Sequence, residues 1–194
     1  MLSPFPPSLR RPPDDAVSLR LTEPRASDGD AVYFTLGTVF NLESGDLFTR
    51  VLAGLRELPA EVIVTTGDGV EPAELGPQPP HVHVERFVDQ QLILPRCAAV
   101  VSHAGSGSVL GALAHGLPQV LLPIGTDQPQ NAARCAELGA ARVLDPLTAT
   151  PEQVRAAVTD VMEEPGYRRA AERLRDELAR LPGPEHAVGL LERL

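Results

Sequence analysis

The chain has 194 residues, 43% of them hydrophobic, with 26 acidic and 17 basic side chains and a formal charge of −9. That length suits one domain with a proper core, and no apolar run is long enough to span a bilayer. The acidity argues against nonspecific nucleic-acid binding, which relies on positive charge, but not against an anionic small ligand held by the N–H donors of a helix N-terminus.

Residues 1–30 open with "PFPPSLRRPPDD", too broken by proline for a helix or a central strand, and read as a linker or surface arm. The stretch has no apolar signal core, so nothing in it marks export. Asp28-Gly29-Asp30 reads as a solvated turn rather than a metal pair. From Ala31 the pattern is regular. "AVYFTL" is a buried strand ending at Gly37-Thr38, and Leu47, Val51, Leu52, Leu55 and Leu58 recur at helical spacing. "EVIVTT" and the alternating "HVHVERF" are the second and third strands, and "LILPR" gives a short turn of helix. "AAVVSH" is a fourth, wholly apolar strand, followed by the helix "SGSVLGALAHG", which stops at Gly116. "QVLLP" is the fifth strand, "DQPQNAARCAELG" a helix ended by Gly139, and "ARVL" the sixth strand. Thr150, Pro151 and Gln153 then form the start signal of a C-terminal helix, with more helix beyond it.

Alternation of strands and helices, with strands apolar on both faces, predicts an α/β domain with a doubly wound, Rossmann-like parallel sheet of six strands in the order 3-2-1-4-5-6. In such a sheet ligands bind beyond the C-terminal ends of the first and fourth strands. The segments leaving those ends are "LGTVFN" and "HAGSGS". In the second, the amides of Gly105, Ser106, Gly107 and Ser108 are the orphan donors of a helix start, suited to a diphosphate, although a self-capped turn with Ser106 or Ser108 as N-cap accounts for the same residues. His103 could meet that anion or be a satisfied core histidine. Asp127 and Gln128 suit either a helix N-cap or a polyhydroxylated group. His81 and His83 make a poor metal pair without a third ligand, His115 is placed to meet a helix dipole, and His186 belongs at the surface. Cys97 and Cys135 fit no metal or redox spacing and read as small buried residues of a reducing compartment, with the cytoplasm as the expected location.

The run "RFVDQQLILPRCAAVVSHAGSGSVLGALAHGLPQVLLPIGTDQPQNAARCAELGAA" resembles the nucleotide-sugar signature of GT-B glycosyltransferases, nearest to bacterial enzymes that glycosylate antibiotics and related to the UDP-glycosyltransferases. The resemblance implies that Phe87, Val88 and Gln90 meet the nucleobase, and that His103, Gly105, Ser106, Gly107 and Ser108 hold the diphosphate. It places Gly37 and Thr38 at the sugar-phosphate, and Asp127 and Gln128 at the donor sugar's hydroxyls. Asp89 stands where proline is usual, Ser106 where plant relatives carry tryptophan, and Gly111 where they carry a glutamate for the ribose, so the donor is a uridine or a thymidine diphosphate sugar.

The resemblance covers residues 31–194, a donor-binding half of the fold, and likens residues 1–30 to the linker between halves. It implies inverting transfer to a hydroxyl of a small natural product, without metal or other cofactor. The general base would belong to an N-terminal acceptor domain that this chain lacks, so the chain is expected to bind donor, to transfer sugar poorly and to carry no catalytic residue of its own. An open crevice would expose apolar surface and favour self-association. Gly105-x-Gly107-x-x-x-Gly111 also suggests an NAD(P)-binding oxidoreductase domain. That loop follows the fourth strand rather than the first, however, and no acidic residue ends the next strand. A non-catalytic nucleotide-sugar-binding subunit and an epimerase of the same fold are further readings.

Overall fold

The computed structural model describes residues 1–37 and 45–192. The main sheet contains β1 (Ala31–Thr35), β2 (Val62–Thr65), β3 (Val82–Glu85), β4 (Cys97–Ser102), β5 (Gln119–Leu121) and β6 (Ala141–Val143). Between and after them run α1 (Leu47–Leu55), α2 (Gln90–Ile93), α3 (Ser106–Ala114), α4 (Gln128–Glu137), α5 (Pro151–Glu163), α6 (Pro165–Ala179) and α7 (Pro184–Leu191). All neighbouring strands are parallel and the order is β3-β2-β1-β4-β5-β6, as the sequence predicts.

The apolar strands reflect cover on both faces. Along β1, Val32 and Phe34 point into a layer shared with α1 and α5, whereas Ala31 and Tyr33 point into the opposite layer beside Ile93, Leu94 and Ala112. β3 lies at the edge, and only Val82 of its alternating run is fully buried. Helices α1 and α5 touch through Gly54, where an added Cβ would lie 2.4 Å from the Pro151 carbonyl oxygen. Thr150 and Gln153 close the expected capping box at the start of α5. Thr150→Ala should lower stability by about 1 kcal/mol, read as a lower urea midpoint at unchanged slope.

One expectation needs correction. The helical spacing reached Leu58, but α1 ends at Leu55, and Leu58 is buried through a tight turn that bonds its amide to the Leu55 carbonyl. Residues 1–30, read as a linker or surface arm, pack against the domain. Leu2–Ser3 and Val17–Ser18 pair as a short parallel ladder. Phe5 and Leu9 are buried in the cluster formed by α3, α4 and α6. The arm also supplies hydrogen bonds that the domain needs: the amides of Arg25 and Ser27 donate to the Ala114 and His115 carbonyls at the end of α3, where no helical partner remains. Composition hid this, because a few apolar residues among prolines carry no periodicity.

Register brings the C-terminal ends of β1 and β4 side by side, with Thr35 opposite Ser102. The chain reverses direction between these two strands, and this is where the two glycine-bearing turns leave the sheet.

Candidate functional site: a crevice at the β1–β4 switch point

Leaving β4, the backbone turns sharply at Ala104, which adopts a left-handed conformation (φ 66°) while fully buried. Such a residue is strained without glycine's freedom and persists only when its surroundings fix it. Here Asn131 Nδ2 donates to the Ala104 carbonyl at 3.0 Å. Gly105 is the N-cap of α3, and no side chain caps the helix. The reading of Ser106 or Ser108 as N-cap is therefore corrected. The amides of Ser106, Gly107 and Ser108 have no acceptor among the described residues, and they project from the positive end of the helix dipole.

His103 sits immediately before this turn, its ring wedged between two glycines. A Cβ on Gly37 would lie 2.8 Å from His103 Cε1, and one on Gly105 would lie 2.4 Å from Nε2. Only glycine lets both backbones close on the ring, and Gly37 also needs its left-handed conformation (φ 75°). His103 Nδ1 is buried without a well-formed hydrogen bond among the described residues, and the Thr35 backbone is the acceptor close to the ring. Thr38, paired with Gly37 in the sequence reading, lies outside the described residues.

Asp127 stands at the N-cap of α4, but its carboxylate does not cap that helix. Oδ2 accepts from the Ser106 hydroxyl and from Asn131 Nδ2 (3.1 Å), and Oδ1 accepts from the Thr126 hydroxyl (3.1 Å). The Ser106 proton is thus committed to Asp127, and Ser106 offers a ligand its amide rather than its hydroxyl. Gln128 is buried, and its Oε1 accepts from the amides of Ile124 and Gly125 at 2.7 and 3.0 Å. That bond shapes the loop after β5 and orients the amide.

Across the crevice, Phe87 is 78% exposed, an unusual position for a phenylalanine. Phe87, Val88 and Gln90 line a cleft of about 290 Å³ together with Gly107 and Gly111 of α3. Gln90 Nε2 donates to the Tyr33 hydroxyl (3.3 Å), which is bonded to Thr65 Oγ1 (2.9 Å). Gly37 and Gly105 thus close on His103, Ser106 bonds to Asp127, and Phe87, Val88 and Gln90 share a cleft with Gly107, whereas Gln128 is buried against its own loop. Sequence reasoning missed Asn131, Tyr33 and Thr22, the last an arm residue on the cleft wall. Asn131 alone had a signal, since it lies one helical turn beyond Asp127 on the same face.

Residues 49–194 match the family model described as erythromycin biosynthesis protein CIII-like, C-terminal domain. The chain belongs to this family. It is 38% identical over 145 residues to the 3-alpha-mycarosylerythronolide B desosaminyl transferase of Saccharopolyspora erythraea, covering 75% of this chain and 34% of that protein. It is 39% identical over 166 residues to the 4'-demethylrebeccamycin synthase of Lentzea aerocolonigenes, covering 84% and 38% respectively. A spinosyn rhamnosyltransferase solved with thymidine diphosphate superposes with a TM-score of 0.85 at 26% identity, covering 98% of this chain and 56% of that one. The CIII-like chain thus spans about a third of the length of its curated relatives and just over half of that solved neighbour. It has the fold of one half of a GT-B glycosyltransferase.

The electrostatics of this CIII-like domain follow from the geometry. Burial holds the His103 imidazole below its usual pKa, with the nearby Asp127 carboxylate partly opposing the shift. The hydrogen bond from Ser106, with those from Asn131 and Thr126, holds Asp127 below the usual carboxylate range. Of the other histidines, His115 Nδ1 bonds the Gly111 carbonyl (2.9 Å) at the end of α3, His81 Nε2 bonds the Arg56 carbonyl (3.1 Å), and His83 lies 3.7 Å from Glu61. Burial pushes the Cys97 and Cys135 thiols up to about 12. Among the described residues no group of three His, Cys, Asp or Glu side chains could hold a metal ion. No helix among them is long and apolar enough to cross a membrane.

Proposed function

We propose that this domain binds a nucleoside diphosphate sugar, with thymidine as the nucleoside, and serves inverting transfer by stabilising the departing diphosphate. One observation carries the reading: unpartnered amides at the start of α3 share the switch-point crevice with an imidazole held between Gly37 and Gly105. As the bond from the anomeric carbon to the diphosphate oxygen breaks, negative charge grows on that oxygen. The α3 amides and dipole, together with a protonated His103, oppose that charge without a metal. Asp127 and Gln128 would orient the sugar, and Phe87, Val88 and Gln90 would receive the base. The hydroxyl attack and its general base would come from an acceptor domain elsewhere, so the 194-residue chain alone should bind donor and transfer little sugar. The solved neighbour's thymidine diphosphate supports the choice of nucleoside. So does Gly111, which offers no carboxylate to a ribose 2′-hydroxyl.

Titration calorimetry with TDP, UDP and NADP⁺ tests the reading. TDP should bind more tightly than UDP, chelators should leave its affinity unchanged, and NADP⁺ should give no heat. Tight NADP⁺ binding with no response to TDP would overturn it. The pH dependence has a definite sign. Burial keeps the free imidazole neutral at pH 7, a bound diphosphate favours the imidazolium, and binding therefore takes up a proton. TDP affinity should rise as pH falls through and below 6.5, more steeply than in His103→Ala. That variant should also bind about tenfold more weakly, the scale of a hydrogen bond to a charged group.

A further inference from the structure

The buried amide of Asn131 joins the crevice to the N-terminal arm. Asn131 is 3% exposed, and its Nδ2 reaches the Ala104 carbonyl (3.0 Å), Asp127 Oδ2 (3.1 Å) and Ser106 Oγ (3.3 Å). Its Oδ1 accepts a 2.7 Å hydrogen bond from Arg10 Nη2. A guanidinium can only donate, whereas a carbonyl and a carboxylate can only accept, so the amide has one orientation that satisfies both sides. Arg10 is itself positioned by stacking over the Phe5 ring, 3.8 Å from its centroid, and Phe5 is buried against the α3–α4–α6 layer.

We propose that Arg10 is a positioning residue for the anion cradle: through Asn131 it fixes the left-handed turn at Ala104, the first residue of α3 and the Asp127 carboxylate. Two of these sit where the backbone or a charge must be held against its own preference. Ala104 is strained, and Asp127 lacks the cap contact its position would ordinarily give it. Without the guanidinium, Asn131 Oδ1 loses a charge-assisted bond, is left buried without that donor, and the amide is held through Nδ2 alone. The shared anchor of the turn and the carboxylate is then loosened. Thr22, on the wall of the cleft beside Phe87, places a second arm residue at the site. The arm is therefore part of the site's framework, and a displacement of it reaches the cradle through one side chain. This inference rests on the donor-binding reading for what the cradle holds.

The test is TDP affinity in Arg10→Ala, Arg10→Lys, Asn131→Ala and the Arg10→Ala/Asn131→Ala double variant. Arg134→Ala serves as control, because Arg134 anchors the arm through the Ser8 carbonyl (2.9 Å) without touching the relay. Arg10→Ala should weaken TDP binding three- to tenfold, Arg10→Lys should recover most of that loss, and Arg134→Ala should stay within twofold of wild type. The double variant should bind no worse than Asn131→Ala alone, since both changes break one chain of contacts. Equal losses in Arg10→Ala and Arg134→Ala, or additive losses in the double variant, would reduce Arg10 to an arm anchor. If wild type binds no TDP, the donor reading fails, and the relay is read from side-chain amide exchange of Asn131. Exchange should accelerate in Arg10→Ala but not in Arg134→Ala, and unchanged exchange would overturn the relay.

Discussion

A chain carrying Gly105→Ala should stay folded and bind TDP at least ~30-fold more weakly than wild type, about 2 kcal/mol. Gly105 has φ −62° and ψ 144°, a conformation open to alanine, so the backbone does not resist the change. The contact does. The new Cβ would lie 2.4 Å from His103 Nε2 and 2.9 Å from Cε1. The imidazole cannot retreat toward β1, because Gly37 closes that side, with its own Cβ position 2.8 Å from Cε1. Either the ring leaves the crevice or the start of α3 moves, and both remove donors from the diphosphate. Hydrogen bonds to a charged group contribute about 1.5–3 kcal/mol each, so losing one or two accounts for the effect. Calorimetry together with far-ultraviolet circular dichroism checks it, and TDP affinity within threefold of wild type would contradict the arrangement.

Gly54→Val should cost about 2–4 kcal/mol of stability and leave TDP affinity of the folded fraction unchanged. At Gly54 a Cβ meets only backbone: the Pro151 carbonyl oxygen at 2.4 Å, its carbon at 3.1 Å and Cα at 3.2 Å. That backbone cannot yield cheaply. The start of α5 is held by the Thr150–Gln153 box, and Arg50 of α1 donates to the carbonyls of Ala149 and Pro146 just before it. Separating α1 from α5 would also open the layer around Val51, Val154 and Val158. Gly54→Ala should cost less, since the gain in helix propensity of about 1 kcal/mol offsets part of the clash. Urea unfolding reads both, and a wild-type midpoint for the valine variant would contradict the close approach.

The sheet was legible because its strands are apolar on both faces, and such strands need helices on each side. Parallel strands with that cover leave few orders, and the turns after β1 and β4 then fall together. His103, Gly105 and Gly37 could be placed at one crevice on that basis, and the glycine–imidazole–glycine contact gives the reason for both glycines. What local rules missed was set by tertiary contact. Asp127 occupies an N-cap position, yet its carboxylate turns to Ser106, twenty-one residues earlier in the chain. Ser106 read as an anion donor or an N-cap, because nothing near it in sequence claims its hydroxyl proton. Arg10 lies in a proline-rich stretch with no periodicity, and its partner is 121 residues away.

The packing of residues 1–30 bears on how hybrid enzymes would be assembled from such modules. A splice at Ala31, where the regular pattern begins, would strip Phe5 and Leu9 from their seats and leave the Ala114 and His115 carbonyls bare. A foreign leader grafted there would have to recreate an aromatic plug, a guanidinium and two amide donors. The natural seam for chimeras of this module lies upstream of Phe5, so that the arm travels with the sheet it braces.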